Sequence, residues 1–539
     1  MSDRRSAIIL AAGLALGLGA ASSGFAQAQH HMQLKVEPPK SVVMPTGTWQ
    51  PKSITYLKAS NTNKDDQFGG AVALSADGNT LAIGAVNEDG AGRGVNPVTK
   101  AGKGGKAEMV TNSGAVYVFT RTAAGWKQQS YLKASNSGEG YQFGSALSLS
   151  SDGNLLAVGS IGEASSATGI NGNQNDNSMP GAGAVYVFAR KGGAWSQQAY
   201  VKSSNTGGPV VGYQFGYSVS LSADGSTLAV GQTSDPSNAT GINGDQKNTS
   251  APDSGAVFVF NRDGDSWAQQ AYVKPWNTTQ RGVLFGYSVG LSGNGDTMAV
   301  GTYDENRGRG AIYAFTRKNG KWAQEMRLTA SNAEQGDSLG CSIAISDDGN
   351  TIVSGAFDED AILSGIQPPD AGGNDEPSDT STGAAYVFVR KDGKWSQQAY
   401  MKAFNTREND QFGWALAISG DGNTIAVGSH LEDSGAKGIN GDMKDTTAED
   451  SGAVYVYTRS GDTWNPAAYV KAPNTKPAAE FGIAVALNAD GKMLAVGATK
   501  ENSAAKGVNG NQKDVSMVNA GAAYVYSDVS ESAITSSRK

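Results

Sequence analysis

The chain has little of what most enzymes use. It holds one cysteine, Cys341, in 539 residues, so no internal disulfide can form. Its three histidines are His30, His31 and His430. Zinc sites of the His/Cys kind lack their ligands, and a Ser-His-Asp triad has almost nothing to draw on. There is no P-loop and no dinucleotide fingerprint. Charged residues make up 17% of the chain and the formal net charge is −7. That excludes the basic footprint of a nucleic-acid binder and electrostatic docking on anionic lipid. No amphipathic helix is legible past the N-terminal stretch.

What is abundant is glycine, 72 residues, and it recurs in register. The unit is Phe68–Ala134, which opens FGGAVALSADGNTLAIGA, resumes at SGAVYVF and ends WKQQSYLKAS. Its Phe-Gly start returns at Phe143, Phe215, Phe285, Phe412 and Phe481, with Leu339-Gly340 as a substituted copy. Its tryptophan returns at Trp49, Trp195, Trp267, Trp322, Trp395 and Trp464. Each copy reads as four strands. Strand a alternates with a period of two, an Asp-Gly hairpin follows, and strand b alternates likewise. Strand c is rich in β-branched and aromatic residues, and strand d runs on from the tryptophan. Four short strands repeated radially predict an all-β fold, a seven-bladed β-propeller. The segment Trp49–Lys58 precedes any strand a, and the last copy, Phe481–Tyr526, stops after strand c. The N-terminal segment therefore supplies strand d of the last blade and leaves no open edge at the junction.

The expected organisation is a signal peptide over residues 1–28, a linker over 29–48, the propeller over 49–527 and a polar disordered tail over 528–539. Arg4-Arg5 precede the apolar run Ala7–Ala21, and Ala26-Gln27-Ala28 has the small-x-small form of a cleavage site. The run is too short and too rich in Ala and Gly to anchor the mature chain in a membrane. Export to a periplasm or the exterior is the expectation.

Alternating strand direction sends the d–a and b–c loops to one face. That face carries the long segments, and function tends to sit on such loops. Four b–c loops share a Gly-Ile/Val-Asn-Gly motif, at Gly169, Gly241, Gly438 and Gly507. It reads as a small extra hairpin at the loop tip, or as a clasp for a cation or ligand. An acid stands four residues past the glycine of every strand b: Glu88, Glu163, Asp235, Glu305, Glu359, Glu432 and Glu501. Their common position predicts either seven pins for seven loops or a cation-binding set. Tyr217, Tyr287 and Trp414 each follow a Phe-Gly pair near the channel mouth, and Tyr213, Trp276 and Tyr303 lie in loops of blades 3 and 4. These six are the candidate ligand-binding residues, beside the one short b–c loop, Thr302–Arg309. The alternative is that their rings pack against adjacent loops. Cys341 reads as a packed thiol, and no residue stands out as catalytic.

The order Phe-Gly, alternating strand, Gly-Ala, acidic loop and Gly-Ala-x-Tyr-Val-Phe resembles the FG-GAP repeat, found in integrin α-subunit propellers and many bacterial secreted proteins. Phe68-Gly69 with Gly84-Ala85, and Phe481-Gly482 with Gly497-Ala498, carry the likeness. It implies a seven-bladed propeller used for adhesion or protein binding, often with calcium. The a–b loop that holds calcium in integrin-like repeats is cut here to Ser75–Asn79. One carboxylate in a tight turn cannot surround that ion. Together the readings give an exported, non-catalytic module for a protein or glycan ligand, with calcium as the possible cofactor. The alternatives are a polysaccharide hydrolase or lyase using two loop carboxylates, and a structural part of an envelope or extracellular assembly.

Overall fold

A computed structural model describes residues 41–98, 108–206, 212–277, 282–368 and 380–527. The expected signal segment and the polar tail lie outside the described residues. The described strands form seven antiparallel sheets. The first holds Phe68–Leu74, Thr80–Ala85, Ala115–Thr122 and Gly125–Leu132 as strands a to d. The last holds Phe481–Leu487, Met493–Ala498 and Ala522–Ser527, with Ser53–Leu57 as its fourth strand. Ser53 pairs with Ser527 and Leu57 with Ala523, so the N-terminal segment closes the ring as expected. Among the described residues no helix is long and apolar enough to cross a membrane.

The core is divided into slices, one between each pair of neighbouring blades. Strands b and c bury both faces and turn different residues to each side. Leu81, Ile83, Tyr117 and Phe119 of blade 1 meet Ala495, Ala523 and Val525 of blade 7. Ala82, Val116 and Val118, on the opposite side of blade 1, receive Phe143, Tyr186 and Phe188 of blade 2. A bulky face thus always meets a smaller one, which lets the slices close without voids. The repeated glycines set the spacing. A Cβ on Gly84 would lie 2.2 Å from the carbonyl oxygen of Gly144, the glycine of the next Phe-Gly pair.

The repeated tryptophans tie blades at the rim. Trp195 Nε1 donates to Gln129 Oε1 of the preceding blade at 2.9 Å, under the guanidinium of Arg190 at 5.2 Å. Trp267 and Trp464 repeat the bond to Gln198 and Gln398. In the first a–b hairpin the lone carboxylate serves the turn itself. Asp77 Oδ1 accepts from the Ser75 hydroxyl at 2.6 Å and from the Asn79 N–H at 2.9 Å.

Residues 41–48 form no strand. Their backbone bonds to blades 5 and 6, Val43 N–H to Phe404 O and Thr46 N–H to Pro466 O, both at 2.8 Å.

Candidate functional site

The seven acids occupy one position in each blade, and each is closed into its own buried cluster. Strand d of blade 2, Ala194–Val201, carries Tyr200 as its penultimate residue and is followed by Lys202. The Glu163 carboxylate accepts from Lys202 Nζ and from the Tyr200 hydroxyl, both at 2.7 Å. It also accepts from Asn136 Nδ2 at 2.9 Å. Asn136 belongs to the connection from blade 1, and the Tyr186 hydroxyl of strand c donates to its Oδ1. The latch therefore ties a b–c loop to its own strand d and to the previous blade.

The same donors recur around the ring. Glu88 has Lys133 and Tyr131 (2.6 and 2.8 Å) and Asp235 has Lys274 and Tyr272 (3.3 and 2.8 Å). Glu359 has Lys402 and Tyr400, Glu432 has Lys471 and Tyr469, and Glu501 has Lys58 and Tyr56. Blade 4 departs from the pattern. Arg327 stands in the tyrosine's place and Thr329 in the lysine's, and Glu305 takes Arg327 at 2.8 Å and the Tyr313 hydroxyl at 2.7 Å. Among the described residues no three His, Cys, Asp or Glu side chains are grouped to hold a metal ion. The recurring Tyr-x-Lys at the end of strand d was the sequence signal for these partners.

The Gly-Ile/Val-Asn motif has a job that the Asn-Gly turn did not reveal. Ile170 bridges antiparallel to Val201, on the outer edge of its own strand d. Asn171 N–H donates to Tyr200 O at 2.7 Å, Lys202 N–H to Gly169 O at 2.8 Å, and Tyr200 N–H to Asn171 Oδ1 at 2.9 Å. The tripeptide caps the blade's outermost edge. Blades 3, 6 and 7 repeat it through Ile242, Ile439 and Val508. Two further copies carry no second glycine: Val95-Asn96-Pro97 bridges Leu132, and Ile366–Gln367 pairs with Met401 and Tyr400 as a fifth strand of blade 5.

Four of the six candidate ligand residues come together. Tyr217 and Tyr287 have ring centroids 4.8 Å apart, and Tyr287 and Tyr303 4.5 Å. The line continues through Phe357 at 6.5 Å and Trp414 at a further 5.0 Å to His430 at 4.6 Å. Tyr217, Tyr287 and Trp414 are half-buried, and Cys341 lies packed beneath with Tyr303 and Phe357. Burial pushes the Cys341 thiol up to about 12. Phe357 and His430 were missed in sequence; both stand two residues past the glycine of strand b, the position Tyr303 occupies. The opposite arc offers Ile483, Gly70 and Ser145 at the positions of Tyr217, Tyr287 and Trp414. Tyr213 is buried and away from this line, and Trp276 stands 53% exposed against strand d of blade 4, its N–H on Gln324 Oε1 at 3.0 Å.

Two buried groups on this face titrate unusually. Burial pulls His430 down to about 4, so its imidazole is neutral above that pH. Burial pushes the Asp66 carboxyl up to about 7; the Asn63 N–H on Oδ2 opposes this, and the charge of Glu88 adds to it. The unfolded chain releases that proton near 3.8 and the folded chain only near 7. Asp66 therefore costs stability progressively as pH rises through that window, and the full cost persists above it. Asp66→Asn should raise the thermal midpoint at pH 8 by several degrees and leave it nearly unchanged at pH 4. An equal shift at both pH values would remove Asp66 as the cause.

Seven four-stranded units around an axis, with long loops gathered on one face, define a β-propeller of the binding-scaffold kind. The family model for the FG-GAP repeat matches residues 53–96, 322–388 and 395–457. The protein is thus a seven-bladed β-propeller that carries FG-GAP repeats in those three regions. No curated protein matches the chain. Among solved structures it is similar to the β-propeller domain of Cps50 (Swd1) from Myceliophteria thermophila, at 10% identity and a TM-score of 0.44. That likeness covers 82% of this chain and 95% of the other.

Proposed function

We propose that the protein is a non-catalytic binding module that takes a glycan at the channel mouth, on the long-loop face. The observation that carries this reading is the row Tyr217, Tyr287, Tyr303, Phe357, Trp414 and His430, in which Tyr217, Tyr287 and Trp414 stay half-buried over the buried Tyr303, Phe357 and His430. Aromatic faces of this kind stack on sugar rings and need no ionised group. The hydrolase alternative is weakened because each of the seven repeated acids is held by a lysine or arginine. For the same reason we assign those acids to the ring and not to calcium. Residues 1–28 fit this reading as an export leader that brings the module to extracellular glycans.

The test is a tryptophan-fluorescence titration against a panel of neutral oligosaccharides. The double change Tyr217→Ala and Tyr287→Ala should weaken the best ligand about tenfold or more and leave the far-ultraviolet spectrum unchanged. Equal affinity of the variant would move the site away from the mouth. Release of reducing ends from any panel member would favour the hydrolase.

A further inference from the structure

Six blades cover the outer edge of strand d with their own b–c loop, and blade 4 does not. Its loop is a tight turn, Glu305–Gly308, with Asn306 and Arg307 at positive φ, too short to reach the edge. Strand d of this blade is Lys321–Leu328, and Leu328 pairs inward with Ile312. In blades 1, 2, 3, 6 and 7 the residues matching Arg327 and Thr329 give three bonds to the capping tripeptide, as Tyr200 and Lys202 do, and in blade 5 Lys402 N–H bonds to Gly365 O while Ile366–Gln367 pairs with the strand. In blade 4 the Arg327 N–H and C=O and the Thr329 N–H have no backbone or side-chain partner among the described residues. Thr329 is exposed, whereas Lys202 at the matching position is fully buried.

The surroundings of this edge are apolar and basic. Met326, one residue before Arg327, is 42% exposed, and Trp276 at 53% sits on the same strand through Gln324. These are two of the few large hydrophobic side chains exposed among the described residues. Arg307 and Arg309, in the turn that Arg327 clasps through Glu305, make no ion pair among the described residues. An open strand edge is a template for another strand.

We propose that the outer edge of blade 4 binds an extended segment of a partner protein by strand addition. The six internal caps specify its chemistry. A residue with a free carbonyl, glycine in all six, faces Thr329, an aliphatic residue lies opposite Leu328, and an amide side chain answers the Arg327 N–H. An acidic residue on the N-terminal side complements Arg307 and Arg309. Main-chain bonds supply the affinity and the aliphatic and amide positions the selectivity, which is how strand-addition ligands are read. The site is separate from the aromatic mouth and uses none of its residues.

The probe is a capped synthetic peptide of residues 166–173, SATGINGN, carrying Ser166→Asp, titrated into the full chain. Saturable binding is expected, with slowed amide exchange at Arg327 and Thr329. A peptide N-methylated at the Asn171 amide loses one main-chain bond and should bind about tenfold more weakly. Thr329→Pro removes a donor that the internal ladder does not use, and should weaken binding similarly with the thermal midpoint preserved. Equal binding of the N-methylated peptide, protection elsewhere on the chain, or no saturation at millimolar peptide would overturn the proposal. A concentration-dependent dimer abolished by Thr329→Pro would overturn it too, by giving the edge to a second copy.

Discussion

Lys202→Met should lower the free energy of unfolding by about 3–5 kcal/mol, the usual result of leaving one member of a buried ion pair alone. Glu163 keeps the Tyr200 hydroxyl and Asn136 but loses the only cation among the described residues that touches it. Adding Glu163→Gln should recover part of the stability, because a neutral amide is cheaper to bury than an unpaired charge. Urea unfolding of the wild type, Lys202→Met and the double variant provides the measurement. A double variant no more stable than Lys202→Met would mean that packing of the lysine stem, and not charge, holds the latch. Millimolar calcium should leave the wild-type midpoint unmoved after chelation. A clear rise would mean the acids serve a cation after all, since a ligand bound only to the folded form must stabilise it.

Gly159→Ala should be nearly as damaging, at about 3 kcal/mol. Its new Cβ would stand 2.3 Å from the carbonyl oxygen of Gly216, backbone of the neighbouring blade that cannot swing aside. Gly192→Ala is the control. Gly192 lies at a φ of 57° in the c–d turn with nothing within 4 Å, so alanine there meets only the left-handed backbone penalty of about 1–2 kcal/mol. Equal losses at the two sites would show that conformational freedom, and not the spacing of blades, explains the repeated glycines.

The architecture was legible because each blade repeats local chemistry. Phe143-Gly144, the Asp-Gly turns and the tryptophans announce the blade count, and the leftover Trp49–Lys58 announces how the ring closes. The partners of the acids were not legible in the same way. Glu163 and Lys202 are separated by a long loop and two strands, and only the sheet brings them together. Asn-Gly at Asn171 is a strong local turn signal, and it masked a longer-range role, the amide on Tyr200 N–H. Pro97 hid one further cap by replacing the second glycine, which the cap does not use, and Gln367 hid another by standing where the other caps have asparagine. At the mouth, Tyr217, Tyr287, Tyr303 and Trp414 were found from their positions. Tyr213 and Trp276 failed to join them, because loop residues carry no periodicity that fixes direction.

Ring closure also sets an order of events in time. Of the described strands Ser53–Leu57 is made first, and its neighbour Ala522–Ser527 is made last. Every shorter intermediate on the ribosome is an open arc with two raw ends. The seventh slice of core, between blades 6 and 7, also waits for those final residues. Truncation before Tyr526 would therefore not merely shorten the protein. It would leave the first-born strand without a home, and quality control would meet an unclosed chain in place of a smaller ring.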